Sequence, residues 1–224
     1  MTKRNSLVWI VCFSISIASA TAQNFLPPAI EWKGKSELLI AKAGNAWITP
    51  TEKSGFINTP SYKETMDWLK KLDAASALKN SAKPLLLVQA GIHSGEIDGK
   101  DAGMMLLRDI AFGNKKYLLD KVNFLFIPIL SVDAHERTSP YNRPNQRGPQ
   151  SMGWRTNAQN LNLNRDYAKL DTKEVRAVVK VMNEYDPAMY MDIHVTDGAD
   201  YQYDITFGGF GIQGNSPGIA GWLE

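Results

Sequence analysis

Two stretches of this chain, "PLLLVQA" at 84–90 and "VNFLFIPIL" at 122–130, are apolar almost throughout instead of at alternate positions. A strand with one wet face alternates, whereas a strand apolar on both faces has to be covered on both, as inner strands of parallel sheets are. Between the two runs, residues 98–112 set Ala102, Met105, Leu106 and Ile110 on one helical face before Gly113. The result is a strand, helix, strand unit. Residues 171–185 repeat the theme: Asp171 and Glu174 fit a capping box, Val175, Val178, Val179 and Met182 form an apolar stripe, and Asp186-Pro187 ends the helix. A further strand, "AMYMDIHV" at 188–195, follows. Alternating strands and helices predict an α/β fold with a mixed, largely parallel central sheet flanked by helices.

Outside this frame the expectations are local. The apolar stretches flanking Gly44-Asn45 within 38–49 read as a hairpin. Thr59-Pro60 reads as an N-cap and first helical position for a surface helix near 60–72, with Tyr62, Met66 and Leu69 at helical spacing. Residues 131–165 differ in kind, with Pro144, Gly148, Pro149 and Gly153 following Pro140 and five arginines but no apolar period. That is a long loop, ordered or disordered, and loops of such length inside compact domains tend to be functional.

Composition narrows the function classes. Lys3 and Arg4 precede the apolar run 6–20 and the small residues Ala18-Ser19-Ala20 and Ala20-Thr21-Ala22, so residues 1–22 are expected to be a cleaved secretory signal. The run falls short of the ~20 apolar residues of a membrane span, and none is expected after cleavage. Cleavage would remove Cys12, the only cysteine, and two of the 25 basic residues, leaving 23 against 23 acidic ones. A neutral chain argues against nucleic acid, which calls for a concentrated basic stripe. Secretion or a periplasmic address is expected from the signal alone. No pattern specifies an oligomeric state.

The chemistry starts at "QAGIHSGEIDG", residues 89–99, where His93 and Glu96 stand three apart just past an apolar strand. Zinc takes imidazole nitrogen and carboxylate oxygen, and a catalytic site uses three protein ligands while leaving one position open. Ligands in open α/β sheets gather beyond the carboxyl ends of strands, so a third ligand is expected at another strand end. His194, near the close of "MYMDIHV", is that candidate, and strand parity puts Asp192 on its face as a group able to orient it. The plainer alternative is a buried histidine bonded to an aspartate or to backbone. His135, beside Glu136 and Arg137, reads as part of a solvated loop.

"HSGE" after an apolar strand, then "GWRTNAQNLNLNRDY" at 153–167, then "DIHVTDGADYQYDIT" at 192–206, resembles the zinc carboxypeptidase family (carboxypeptidase A-like metallopeptidases) from about Thr59 onward. The resemblance implies one zinc ion held by His93, Glu96 and His194. It implies that Asn164 and Arg165 grip the free C-terminal carboxylate of a peptide substrate, and that Arg155 stabilises an oxyanion. Residues 23–224 would be the N-terminal portion of such a catalytic domain, acting by zinc-activated water on C-terminal peptide bonds. Departures are equally plain. Asn162 stands where digestive members carry an aspartate, and the family's general-base glutamate has no counterpart among Asp197, Asp200, Asp204 and Glu224, the carboxylates after His194. "SPGIAGWLE" opens a helix at Pro217 and stops, so a longer parent chain is expected. Two other readings stand beside the peptidase: a zinc deacylase or amidohydrolase for N-acyl amino acids or cell-wall peptides, which shares the ligands, and an inactive zinc-binding module.

Overall fold

A computed structural model describes residues 33–72, 82–197, 203, 205–208 and 216–223. The expected signal segment, residues 1–22 with Cys12, lies outside them, as do Asp200, Asp204 and Glu224. Three strands form one parallel sheet: β1 (Leu85–Gln89) in the middle, β2 (Asn123–Ile127) on one side and β3 (Met189–Asp192) on the other. β1 is the most buried, with Leu87, Val88 and Gln89 inside, which is what its unbroken apolar run anticipates. Every pairing among the described strands is parallel.

The described residues form six α-helices: α1 (Pro50–Lys53), α2 (Tyr62–Leu69), α3 (Asp98–Phe112), α4 (Val132–Glu136), α5 (Lys173–Tyr185) and α6 (Pro217–Leu223). Both long helices fall where the 3.6-residue period puts them. α5 buries Val175 and Val178 against Ile92, Leu130 and Leu163, with Val179 and Met182 packed beside them. Its N-cap is Thr172 and not Asp171, because the carboxylate of buried Asp166 accepts the Asp171 and Thr172 N–H groups and the Thr172 hydroxyl, fixing the turn one residue later.

α3 occupies the expected span but turns another face inward. Ala102 is exposed, while Gly99, Gly103, Met104 and Arg108 are buried. A Cβ on Gly103 would lie 2.1 Å from the Phe126 ring, and one on Gly99 would lie 2.7 Å from Ile193. Two glycines four apart let the helix axis approach the sheet closely, and hydrophobic periodicity does not register residues that lack side chains.

The 38–49 hairpin does not form. Lys35–Leu39 is a 3-10 helix, followed by turns. The segment's polar backbone goes to buried side chains instead of a ladder: Ala41 N–H donates to Glu52 at 2.7 Å, and Arg108, paired with Glu52, donates to the Leu39 carbonyl at 2.8 Å. α2 is capped by Ser61 in a capping box with Glu64, which frees Thr59 to donate to Asp101 at 2.9 Å. His135 does not lie in a solvated loop. It sits in α4 at 4 % exposure, because α4 packs under the loop whose Trp154 N–H donates to the Ala134 carbonyl.

Candidate metal centre

The chain leaves β1 through Ala90 and Gly91, whose φ of +69° suits only glycine without strain. Gly91 and Ala90 carbonyls accept the Ser131 and Leu130 N–H groups, so the segments following β1 and β2 stay joined beyond the sheet. The Ser94 hydroxyl ties the next turn down by donating to the Ser131 carbonyl at 2.6 Å. Glu96 N–H donates to the His93 carbonyl at 2.9 Å, which puts both side chains on one turn, each 3 % exposed. β3 supplies the third member. Ile193 N–H still donates to the Gln89 carbonyl, and His194 follows at the strand's carboxyl end.

His93, Glu96 and His194 converge, each offering one ligand atom, with these atoms within 4.8 Å of one another. His93 Nδ1 lies 3.0 Å from one Glu96 oxygen and His194 Nδ1 lies 3.0 Å from the other, with the ring centroids 5.1 Å apart. Two atoms bound tetrahedrally to one zinc at 2.0–2.2 Å stand roughly 3.3 Å apart, so the set closes on an ion by small adjustments.

The outer ring nitrogens support this reading. His194 Nε2 meets the Asp192 carboxylate at 2.9 Å, as the shared strand face anticipates, and His93 Nε2 meets Asn162 Oδ1 at 3.1 Å. The Asn162 amide orientation is fixed independently, since its Oδ1 also accepts the Asn164 N–H at 3.0 Å. The uncharged asparagine thus still meets the His93 ring. With both Nε2 atoms engaged, both Nδ1 atoms face the centre, the arrangement in which outer partners fix a metal ligand's tautomer.

Charge follows the geometry. Burial works to raise the Glu96 carboxyl, yet bonds from His194, His93 and the Val195 N–H outweigh it and hold the group well below the usual carboxylate range. Asp192, then Glu96, push His194 up to about 9 against its burial.

Arg155 reaches the rim, with Nη1 4.0 Å from Glu96 and 3.8 Å from Asp197. Asn164 and Arg165 lie on the 3-10 turn Leu163–Arg165, joined to the centre through Asn162; Arg165 is exposed and donates to the Asn164 carbonyl at 2.8 Å. The centre therefore gathers four of the six residues read from sequence, and the other two stand beside it.

Sequence reasoning missed Gln89 and Arg143. Gln89 sits opposite Asp192 in the parallel register and donates Nε2 to it at 3.1 Å and to the Tyr167 hydroxyl at 3.1 Å. The parity argument that singled out Asp192, a polar group on an apolar strand, would have found it. Arg143 contacts Glu96 at 2.9 Å from inside the irregular loop, where no period marks one arginine among five. The loop itself is backed onto the ligand turn: a Cβ on Gly153 would lie 2.7 Å from the Ala134 carbonyl oxygen and 2.8 Å from that of Ser94.

The chain is similar to several known proteins. The chain is 25% identical over 153 residues to Carboxypeptidase 2 of Trichophyton rubrum, covering 67% of this chain and 25% of that protein. Among solved structures it is similar to a metallo-carboxypeptidase from Burkholderia cenocepacia, with 23% identity and a TM-score of 0.43 over 55% of this chain and 32% of that one. A metallo-carboxypeptidase from Pseudomonas aeruginosa, in complex with (2-guanidinoethylmercapto)succinic acid, matches at 21% identity and a TM-score of 0.39 over 54% and 30%. The chain thus spans about a quarter of the curated relative and about a third of these structures. The profile described as zinc carboxypeptidase matches residues 58–207, two thirds of the chain and all three converging residues, and by that match the chain belongs to the zinc carboxypeptidase family.

Proposed function

We propose that this chain carries the metal centre of a zinc metallopeptidase that hydrolyses C-terminal peptide bonds, with His93, Glu96 and His194 as the ligands. The observation that carries the proposal is the convergence of these three side chains from two strand ends, with both outer imidazole nitrogens already engaged by Asp192 and Asn162. The donor set, two nitrogens and a carboxylate, is one that catalytic zinc uses. Bound zinc supplies a water acidified to a pKa of about 7 and polarisation of a carbonyl.

The chain's own residues do the rest. Asp192 and Asn162 hold the rings so that Nδ1 of each stays turned inward. Arg155 offers a guanidinium at the rim, where an oxygen gaining negative charge meets a donor that needs no reorganisation. Arg165 is exposed beside Asn164, and its planar fork fits a carboxylate bidentately. The substrate is then a peptide with a free C-terminus.

Zinc titration of the full chain tests the ligands: one ion per chain is expected, with the stoichiometry lost in His194→Ala. Hydrolysis of a hippuryl-type dipeptide by a longer parent protein that carries this chain and a general base, free against amidated at the dipeptide's C-terminus, tests the carboxylate grip. Chelator-sensitive cleavage of the free acid alone is expected. Equal cleavage of the amide would move the reading to the deacylase or amidohydrolase class.

A further inference from the structure

Arg143 brings a charge to the metal centre that the ligands do not require. Its loop is held by the Ser139–Met152 bridge, by the Asn142 amide donating to the carbonyls of Arg137 (2.7 Å) and Met152 (2.9 Å), and by Gln146 N–H donating to the Arg143 carbonyl. The side chain then passes across Gly95, where a Cβ would lie 2.5 Å from Arg143 Cγ and 2.7 Å from the Gly153 carbonyl oxygen. At the end of this path Nη2 pairs with a Glu96 oxygen 2.9 Å away and donates to Asp197 at 2.6 Å. Arg143 is 4 % exposed, and its Nε is buried with no partner among the described residues.

The two carboxylates on Arg143 are not alike. Glu96 is enclosed, whereas the Asp197 side chain is 71% exposed and also lies 3.8 Å from Arg155. An exposed ion pair is cheap to exchange, while a buried guanidinium stripped of anions is costly. Charge counting adds direction. Glu96, Asp192 and Asp197 contribute three negative charges, Arg143 and Arg155 two positive ones, and a divalent cation two more, so a loaded centre is positive by one and by two once Asp197 departs. The centre favours an anion wherever Asp197 leaves.

We infer that Arg143 and Arg155 form a carboxylate-binding site at the rim of the metal centre, in which Asp197 is a displaceable occupant that an acidic group of the substrate replaces. This deepens the metallopeptidase reading, on which the identity of the incoming group as substrate rests. The preferred peptides then carry a second carboxylate within reach of the reacting bond, apart from the terminal one assigned to Arg165.

The test titrates glutarate, with neutral glutaramide as control, into the full chain, both zinc-loaded and chelator-treated, read by calorimetry and by the arginine side-chain resonances. Asp197→Asn, a change at an exposed position, is expected to bind glutarate about tenfold tighter than the parent, the scale of one charge-assisted hydrogen bond. That gain is expected to vanish when Arg143→Lys or Arg155→Gln is added, the lysine keeping the charge of a buried group while losing its fork. Equal affinity in the parent and Asp197→Asn overturns the inference, as does a gain that survives both arginine changes. Failure of every variant to bind zinc would sink the ligand assignment alone, because the chelator-treated titration still decides the carboxylate site.

Discussion

Three histidine–glutamate contacts in this molecule have the same length, 3.0 Å, and two different meanings. His93 and His194 meet Glu96 from separate strand ends, and the outer nitrogen of each ring is engaged by an acceptor. His135 meets Glu136, its neighbour in α4, and its Nε2 is buried with no partner among the described residues. The surroundings differ as sharply. His194 is pushed up to about 9 by Asp192 and Glu96, whereas burial, and then the charge of Lys100, push His135 down. Lys100 is itself buried, bonded to the Pro60 carbonyl and paired with Asp101. Asp192 and Glu96 face the His194 ring, whereas the nearest charges to His135 are Lys100 and Glu136. Distance between partners does not distinguish the two settings; the groups around each ring do.

The contrast can be broken most decisively at the ligands. His194→Ala is expected to lose stoichiometric zinc binding in calorimetric titration, while His135→Gln binds as the parent does; parallel losses would erase the distinction. Asp192→Asn, which leaves every ligand in place, is expected to weaken zinc by about 10- to 100-fold, the usual effect of removing an outer carboxylate. Asn162→Asp sharpens the same point from the other side. It places a charge behind His93 and is expected to tighten zinc by up to about tenfold in a competition assay.

The smallest effects are in pH. The folded pKa of His194, about 9, stands above its ordinary 6.5, so the metal-free fold gains stability that is complete below 6.5 and fades as pH climbs through 9. His135 has the opposite sign: its folded pKa is depressed, so protonation opposes folding and stability falls as pH drops below 6.5. Urea unfolding of chelator-treated protein across pH 5 to 10 is expected to show both limbs. His135→Gln should remove only the acid one, at a cost of about 1–3 kcal/mol for the disturbed buried polar group.

What could be read from sequence follows a physical line. β1 and α5 were legible because their burial is achieved by side chains, whose pattern the sequence displays; β2 forms where its apolar run puts it but is only half-buried along its length, lying at one side of the described sheet. The buried face of α3 was not, because Gly99 and Gly103 achieve close approach by having no side chain. Residues 38–49 misled because two apolar stretches around a glycine resemble strands only until the buried Glu52 and Arg108 compete for their backbone. At the centre, His93, Glu96 and His194 were legible from residue type and strand ends, and Asp192 from parity. Arg143 was invisible, since its position depends on the path of an aperiodic loop.

That loop shares the fate of the turn it touches. At Gly153 the backbone lies so near the carbonyls of Ser94 and Ala134 that a methyl group has no room, and at Gly95 the reverse holds for the Arg143 stem. The two segments therefore meet at reciprocal notches, each glycine making room for the other strand of chain. Redrawing the loop's course would disturb the turn that carries His93 and Glu96, whereas exchanging the tips of its side chains would not.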